Sequence, residues 1–269
     1  MILFIDKVVN SLSFNYQGLL QLREKFLNSD ILKSEIDYSK FCKSFNVMYT
    51  HESTAIEGNT LSLLEVKTIL EDKIVPREKE LREIYEVVNH EKAFNYIEDC
   101  ISKKQLFSEE ISKNIHAILM ENILPKDMCG IYRRPDNIIK VSGSRYKFPA
   151  GNDMYYQIKD FWKSLTEKKF ENPIQLAAYT HCEFVRIHPF GDGNGRTARL
   201  LMNYQLMLNN FLPIYIDKSK RYDYYYALEE YDFKHDISFL TDIIGKNLEI
   251  RYLSTMLNGP SPILEIKNI

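Results

Sequence analysis

The chain has 269 residues, 45% hydrophobic and 27% charged, with a formal net charge of −2. That is enough to bury a sizeable core as one large domain or two small ones, and the near-neutral balance speaks against a dedicated nucleic-acid binder. No apolar run reaches the length of a bilayer and MILFIDKVVN is too short for a signal segment, so a cytoplasmic location is expected.

Helical spacing of apolar residues runs through nearly the whole chain. It predicts helices at 12–27 (LSFNYQGLLQLREKFL), 41–57 (FCKSFNVMYTHESTAIE), 63–70, 81–101, 111–124 and 155–165. Further helices are predicted at 174–187 (IQLAAYTHCEFVRI), 197–208 (TARLLMNYQLML), 220–232 (KRYDYYYALEEYD) and 237–253. Start and stop signals support several. Ser62 and Glu65 have capping-box spacing, Pro173 after Asn172 suits a first turn, and Gly58-Asn59 suits a C-terminal stop. One stretch breaks the pattern: GIYRRPDNIIKVSGSRYKFP (130–149) reads as a short hairpin. The expected class is therefore all-α with one β-hairpin. Cys42, Cys100, Cys129 and Cys182 form no CxxC pair, so reduced buried thiols are expected rather than a zinc site or a disulfide framework.

The chemistry concentrates in RIHPFGDGNGRTAR (186–199), which lies between two helices and holds Gly191, Gly193 and Gly195 of the chain's 10 glycines. Pro189 ends the first helix near His188, and the second begins near Asn194 or Gly195. Its free N–H groups and positive dipole end then form an anion site built from backbone. Arg196 and Arg199, three apart, add two guanidiniums suited to a polyphosphate. Asp192 fits this positive setting if it holds a divalent cation together with phosphate oxygens. His188 at the rim is then a candidate general base.

Rival motifs fail on spacing. A dinucleotide fingerprint would follow a strand and have glycine at 196, and no P-loop pattern occurs. His51-Glu52 and His90-Glu91 are followed by Ala55 and Phe94 where a zincin has histidine. His181 and His188, about 10 Å apart along a helix, cannot share one zinc. A helix-hairpin-helix DNA module would place an apolar residue between its glycines, where this chain has Asp192 and Asn194.

His188, Phe190, Asp192, Gly193, Asn194, Gly195, Arg196 and Arg199 fill every fixed position of HxFx(D/E)GNGRxxR, and the segment resembles the Fic family signature. The resemblance, covering roughly residues 50–250, implies a Fic-type helical domain that moves AMP from ATP to a Tyr, Ser or Thr hydroxyl of a protein, releasing pyrophosphate. It implies His188 as base, Asp192 on magnesium (or manganese), and Gly193, Asn194 and Gly195 as the anion hole. Arg196 would lie on the phosphates, Arg199 on the γ-phosphate, and Phe190 would be a buried anchor. The hairpin would be a flap holding the target, with Val141, Ser142, Gly143 and Ser144 near ATP. Tyr224 and Tyr225 resemble a pair that borders the adenosine.

Ser53, Glu57 and Gly58 likewise match the Fic inhibitory signature (S/T)xxxE(G/N), placed before the core as in the subclass with an N-terminal inhibitory helix. The implied brake is Glu57 paired with Arg199. The expected division is 1–50 as an N-terminal helical region, 51–60 as inhibitory helix end, 61–250 as catalytic core and 251–269 as a tail. His116 and His181 are expected to be packed or hydrogen-bonded, and His51 and His235 to lie at the surface. The resemblance also implies a homodimer and this chain itself as one target, while charge and the length of the apolar runs give the expectation of no nucleic-acid or membrane partner. Removal of AMP by the same site, transfer of another phosphate-containing group, and a non-catalytic nucleotide-sensing or DNA-binding module stay open as alternatives.

Overall fold

The computed structural model describes residues 14–137 and 146–258, and among them all the regular structure is helical. Ten α-helices follow in order: α1 (Tyr16–Leu27), α2 (Glu35–Ile56), α3 (Leu63–Lys67), α4 (Leu81–Ser102) and α5 (Glu109–Leu119), then α6 (Asp153–Glu167), α7 (Pro173–Ile187), α8 (Asn194–Leu208), α9 (Arg221–Lys234) and α10 (Ser238–Asn258). The all-α expectation holds. The centre of the expected hairpin, with Val141, Ser142, Gly143 and Ser144, lies outside the described residues, and its described flanks contain no strand.

Local chemistry accounts for the helix starts. Asn15 Oδ1 accepts the N–H groups of Gln17 and Gly18 to open α1, and Asn172 does the same for Ile174 and Gln175 behind Pro173. At α3, Ser62 and Glu65 form the expected reciprocal capping box. The predicted helix 63–70 is α-helical only to Lys67 and passes through a wide π turn, Thr68–Asp72, before Lys73 turns left-handed. The predicted helix 111–124 ends at Leu119, because residues 120–124 fold back as turns.

α8 is the axis of the molecule. Every residue from Arg196 to Leu206 is buried, so the helix has no solvent face and its polar side chains all need partners. α7 packs along it, with α3 and α4 forming a smaller apolar cluster to one side around Val66, Ile69, Leu70 and Val87. α10 packs on α7 and α1, and it runs unbroken past residue 251 to Asn258, so the expected tail begins within a helix. α2 likewise crosses the expected boundary at residue 50 without a break.

Asn203 shows how α8 meets its polar demand. Its Nδ2 donates to Ile214 O at 2.8 Å and its Oδ1 accepts Ile214 N at 2.9 Å, so one amide satisfies both backbone groups of the buried Ile214. Asn203→Ala leaves both groups unpaired in the core, at about 1–3 kcal/mol each. The expected outcome is a denaturant midpoint lowered by about 2–5 kcal/mol equivalent with unchanged m-value; an unchanged midpoint contradicts it.

Candidate active site

α7 ends where His188 takes a left-handed conformation (φ 54°), its N–H bonded to Phe184 O at 3.0 Å. The ring's Nδ1 lies 3.0 Å from Val185 O. A carbonyl only accepts, so Nδ1 carries the proton and Nε2 keeps a free lone pair. Burial pushes the imidazole pKa down to about 4, so the ring is neutral at pH 7.

The loop that follows is held from beneath. Phe190 is fully buried and stacks on His116 at 3.7 Å, the anchor role expected for it. His116 Nε2 donates to Asp192 O (3.0 Å), and its Nδ1 accepts Gly130 N (2.8 Å), so this histidine spans two loops in one tautomer. Asn194 closes the turn: its side chain accepts Phe190 N and donates to Phe190 O, both at 2.9 Å. Gly193, at φ 73°, is the N-cap of α8 and supplies no side-chain cap, which leaves the first N–H groups of that helix free for an anion.

Glu57 reaches this helix end. α2 stops at Ile56, and Gly58 (φ 103°) turns the chain as the sequence suggests. A Cβ at Gly195 would collide with the Glu57 carboxylate, so the bare glycine is what lets the acid sit beside the first turn of α8. Glu57 Oε1 lies 2.8 Å from Arg199 Nη2. Arg199 is 1% exposed and also donates to Ser53 O (2.8 Å), Ser53 Oγ (3.0 Å) and Tyr224 OH (3.3 Å). Arg199 thus brings Ser53 and Glu57 together, the contact that the family resemblance implies.

The two arginines share a helix face but diverge at their tips. Arg196 is 2% exposed, with Nη1 3.2 Å from Glu86 Oε1 and Nη2 3.6 Å from Asp192 Oδ1. Tyr224 is buried and lies under the site: its hydroxyl accepts from Arg199 and donates to His181 Nε2 at 3.0 Å. Tyr225 is the accessible member of the pair, and its hydroxyl donates to Ile56 O at 3.2 Å. His181 is packed and bonded as expected, and His235 is exposed. His51 is not at the surface. It is 5% exposed, with Nδ1 2.9 Å from Glu52 Oε1 and Nε2 3.3 Å from Lys218 Nζ, because α2 is covered there by the segment leading into α9.

Asp192 is the loop's one carboxylate. Burial raises its pKa, but Arg196, Arg82 and the Gly193 N–H outweigh that and hold it below the usual range. No group of three or more His, Cys, Asp or Glu that could hold a metal occurs among the described residues. One carboxylate beside a helix N-terminus fits a magnesium ion whose other ligands are phosphate oxygens and water, not a resident metal.

Sequence reasoning missed two arginines here. Arg82, on α4, lies 2.6 Å from Asp192 through Nη2. Arg133, 4% exposed, donates from Nε to His188 O and from Nη1 to Asn137 O, each at 2.8 Å, and from Nη2 to Pro149 O. It clamps the backbone of His188 to both sides of the 138–148 segment. Neither residue belongs to a periodic or spaced motif, so no local signal marks them.

The buried neutral histidines make stability depend on pH. Burial lowers His116 and His188 to about 4 and His181 to about 3, against about 6.5 in the unfolded chain. Their folded pKa values are depressed, so below pH 6.5 the unfolded chain binds protons that the folded one refuses, and stability falls until about pH 4. Asp232, raised by burial to about 7, acts in the opposite direction, as do Glu91, Glu98 and Asp242 with smaller shifts, while His90, also lowered by burial, adds to the other three histidines. The melting temperature is therefore expected to fall between pH 6.5 and 4; a flat profile contradicts neutral burial.

Comparison with known proteins agrees with this geometry. Residues 106–206 match the family model described as Fic/DOC family. The chain is 30% identical over 227 residues to a protein adenylyltransferase Fic of Culex quinquefasciatus, a match covering 82% of this chain and 45% of that protein. It is 31% identical over 210 residues to one of Drosophila persimilis, covering 77% of this chain and 41% of that protein. It thus spans less than half the length of these relatives. Among solved structures, a fragment of Fic-1 from C. elegans superposes with a TM-score of 0.78 at 26% identity, covering 94% of this chain and 74% of that one. A Fic domain containing signaling protein of Bacteroides thetaiotaomicron shares the fold, with a TM-score of 0.76 at 18% identity over 92% of this chain and 99% of that one. The signature loop, seated between two helices, lies within the matched residues, and residues 106–206 of the chain are a Fic/DOC family domain.

Proposed function

We propose that this chain is a protein adenylyltransferase, held inactive by Glu57. The observation that carries the reading is a neutral His188 on the same short loop as the uncapped N-terminus of α8. His188 Nε2 takes the proton of a Tyr, Ser or Thr hydroxyl, whose oxygen attacks the α-phosphorus of ATP. The new P–O bond forms as the bond to the bridging oxygen breaks, and pyrophosphate leaves. Charge on the phosphate oxygens is met by the N–H groups of the first turn of α8, a preorganised donor set. Asp192 is the group suited to hold a magnesium ion, which would supply further charge neutralisation across the phosphates. The names of the insect relatives support the reaction class.

The brake follows from charge and space. Glu57 places a carboxylate beside Gly195 and on Arg199, where a terminal phosphate would compete for the same guanidinium. With Glu57 in place, a nucleotide binds in a pose whose α-phosphate is out of line for attack. Positional losses of this kind reach about 100-fold for a displacement on the order of 1 Å. Target side chain, self-modification, a homodimeric assembly and a cytoplasmic location extend the same proposal.

The test uses ATP labelled at the α- or the γ-phosphate, with magnesium, on the chain alone and with cell lysate. Glu57→Gly is expected to move α-label to protein at least about 10-fold faster than wild type, and Glu57→Gly/His188→Ala to lose transfer while still binding ATP. Transfer of γ-label makes the protein a kinase instead. No label on protein from any variant, despite nucleotide binding, overturns the reading.

A further inference from the structure

Arg82 stands in the first turn of α4, where the positive end of the helix dipole disfavours a cation. Its side chain is 51% exposed. Two acids hold it: Glu86 Oε1 lies 3.2 Å from Nε, and Asp192 Oδ2 lies 2.6 Å from Nη2. The chain thus keeps a cation of its own against the loop carboxylate, at the end of the helix whose dipole disfavours it.

The two oxygens of Asp192 have different partners. Oδ1 accepts the Gly193 N–H at 2.5 Å and faces Arg196 Nη2 at 3.6 Å, both fixed by the loop and by burial. Oδ2 is bonded to Arg82, which is half in solvent and can swing away. A hard divalent cation takes a carboxylate oxygen as a direct ligand, so it cannot share that lone pair and that space with a guanidinium. Of the two oxygens, Oδ2 is the one a cation can claim without dismantling the loop.

We propose that Arg82 is a resident counter-ion of Asp192 that a divalent cation arriving with the nucleotide displaces, so that Arg82 sets the cation concentration at which the site loads. The proposal rests on the reading of this loop as a nucleotide site. Displaced from Asp192, Arg82 still has Glu86 through Nε, which gives it a second resting place on its own helix. Glu86 also accepts Asn59 Nδ2 at 3.0 Å and pairs with Arg196, so the cation's arrival is felt one residue beyond Gly58 of the inhibitory segment. A half-exposed pair is weak and screened by salt, so Arg82 tunes loading and does not lock it.

The experiment titrates Mn2+ by electron paramagnetic resonance in the presence of AMP-PNP, a non-transferring ATP analogue, with AMP-PNP binding measured separately in EDTA. Wild type, Arg82→Ala, Arg82→Lys and Asp192→Asn are compared at low and high salt. Arg82→Ala is expected to lower the Mn2+ concentration for half occupancy by about three- to fivefold, with Arg82→Lys intermediate. Asp192→Asn should abolish this site, and salt should narrow the gap between wild type and Arg82→Ala. Equal loading of wild type and Arg82→Ala within about twofold, or loading that survives Asp192→Asn, overturns the inference while leaving the nucleotide reading standing. Failure of AMP-PNP to bind any variant overturns both.

Discussion

A guanidinium in the middle of a protein needs a reason. Arg199 is almost completely buried, and burial alone would lower its pKa, yet Glu57 and Tyr224 hold it fully charged. Desolvating that charge costs several kcal/mol unless its donors are met. Ser53 meets two of them through its hydroxyl and carbonyl, Tyr224 a third and Glu57 a fourth. These partners come from α2 and α9, so the position of one side chain on α8 fixes how both helices approach the axis of the fold. Of the four contacts, the one to Glu57 is the most accessible, since that carboxylate is 34% exposed. It is the contact that a competing anion can reach.

The signature loop is held by groups that do not react. His116 and Asn194 satisfy the loop's backbone, and Arg133 holds the carbonyl of His188 in its left-handed turn. These supports leave Nε2 of His188 and the first N–H groups of α8 without a partner from the loop, the atoms to which the proposed reaction assigns its chemistry. Opposite the loop, Glu83 and Glu86 of α4 bind Thr60 N and Asn59. Residues 59–60 and the signature loop are therefore both braced by the start of one helix, a physical route by which the proposed brake and the loop can be coupled.

Much of this was legible in the sequence, for identifiable reasons. The helices were visible because their apolar spacing is local, and the capping box at Ser62 because its two partners sit three residues apart. The loop was visible because glycine, acid, imidazole and guanidinium fall within one short stretch. The Ser53–Glu57–Arg199 contact spans more than 140 positions and was legible only through two matched signatures. Arg82, Arg133 and the burial of His51 were not legible: each depends on an element distant in sequence closing over it, as Lys218 does over His51. Tyr224, matched in the sequence with Tyr225 to a pair that borders the adenosine, is buried with its hydroxyl on Arg199, a depth that helical spacing does not encode.

In the proposed brake, Glu57 holds the place of a terminal phosphate on Arg199. Calorimetric affinities of ATP and ADP for wild type and Glu57→Gly test it without any protein target. If the claim holds, the γ-phosphate adds little affinity in wild type, and ATP binds several-fold more tightly than ADP once Glu57 is gone. An ATP-to-ADP affinity ratio that is the same in both proteins would contradict it.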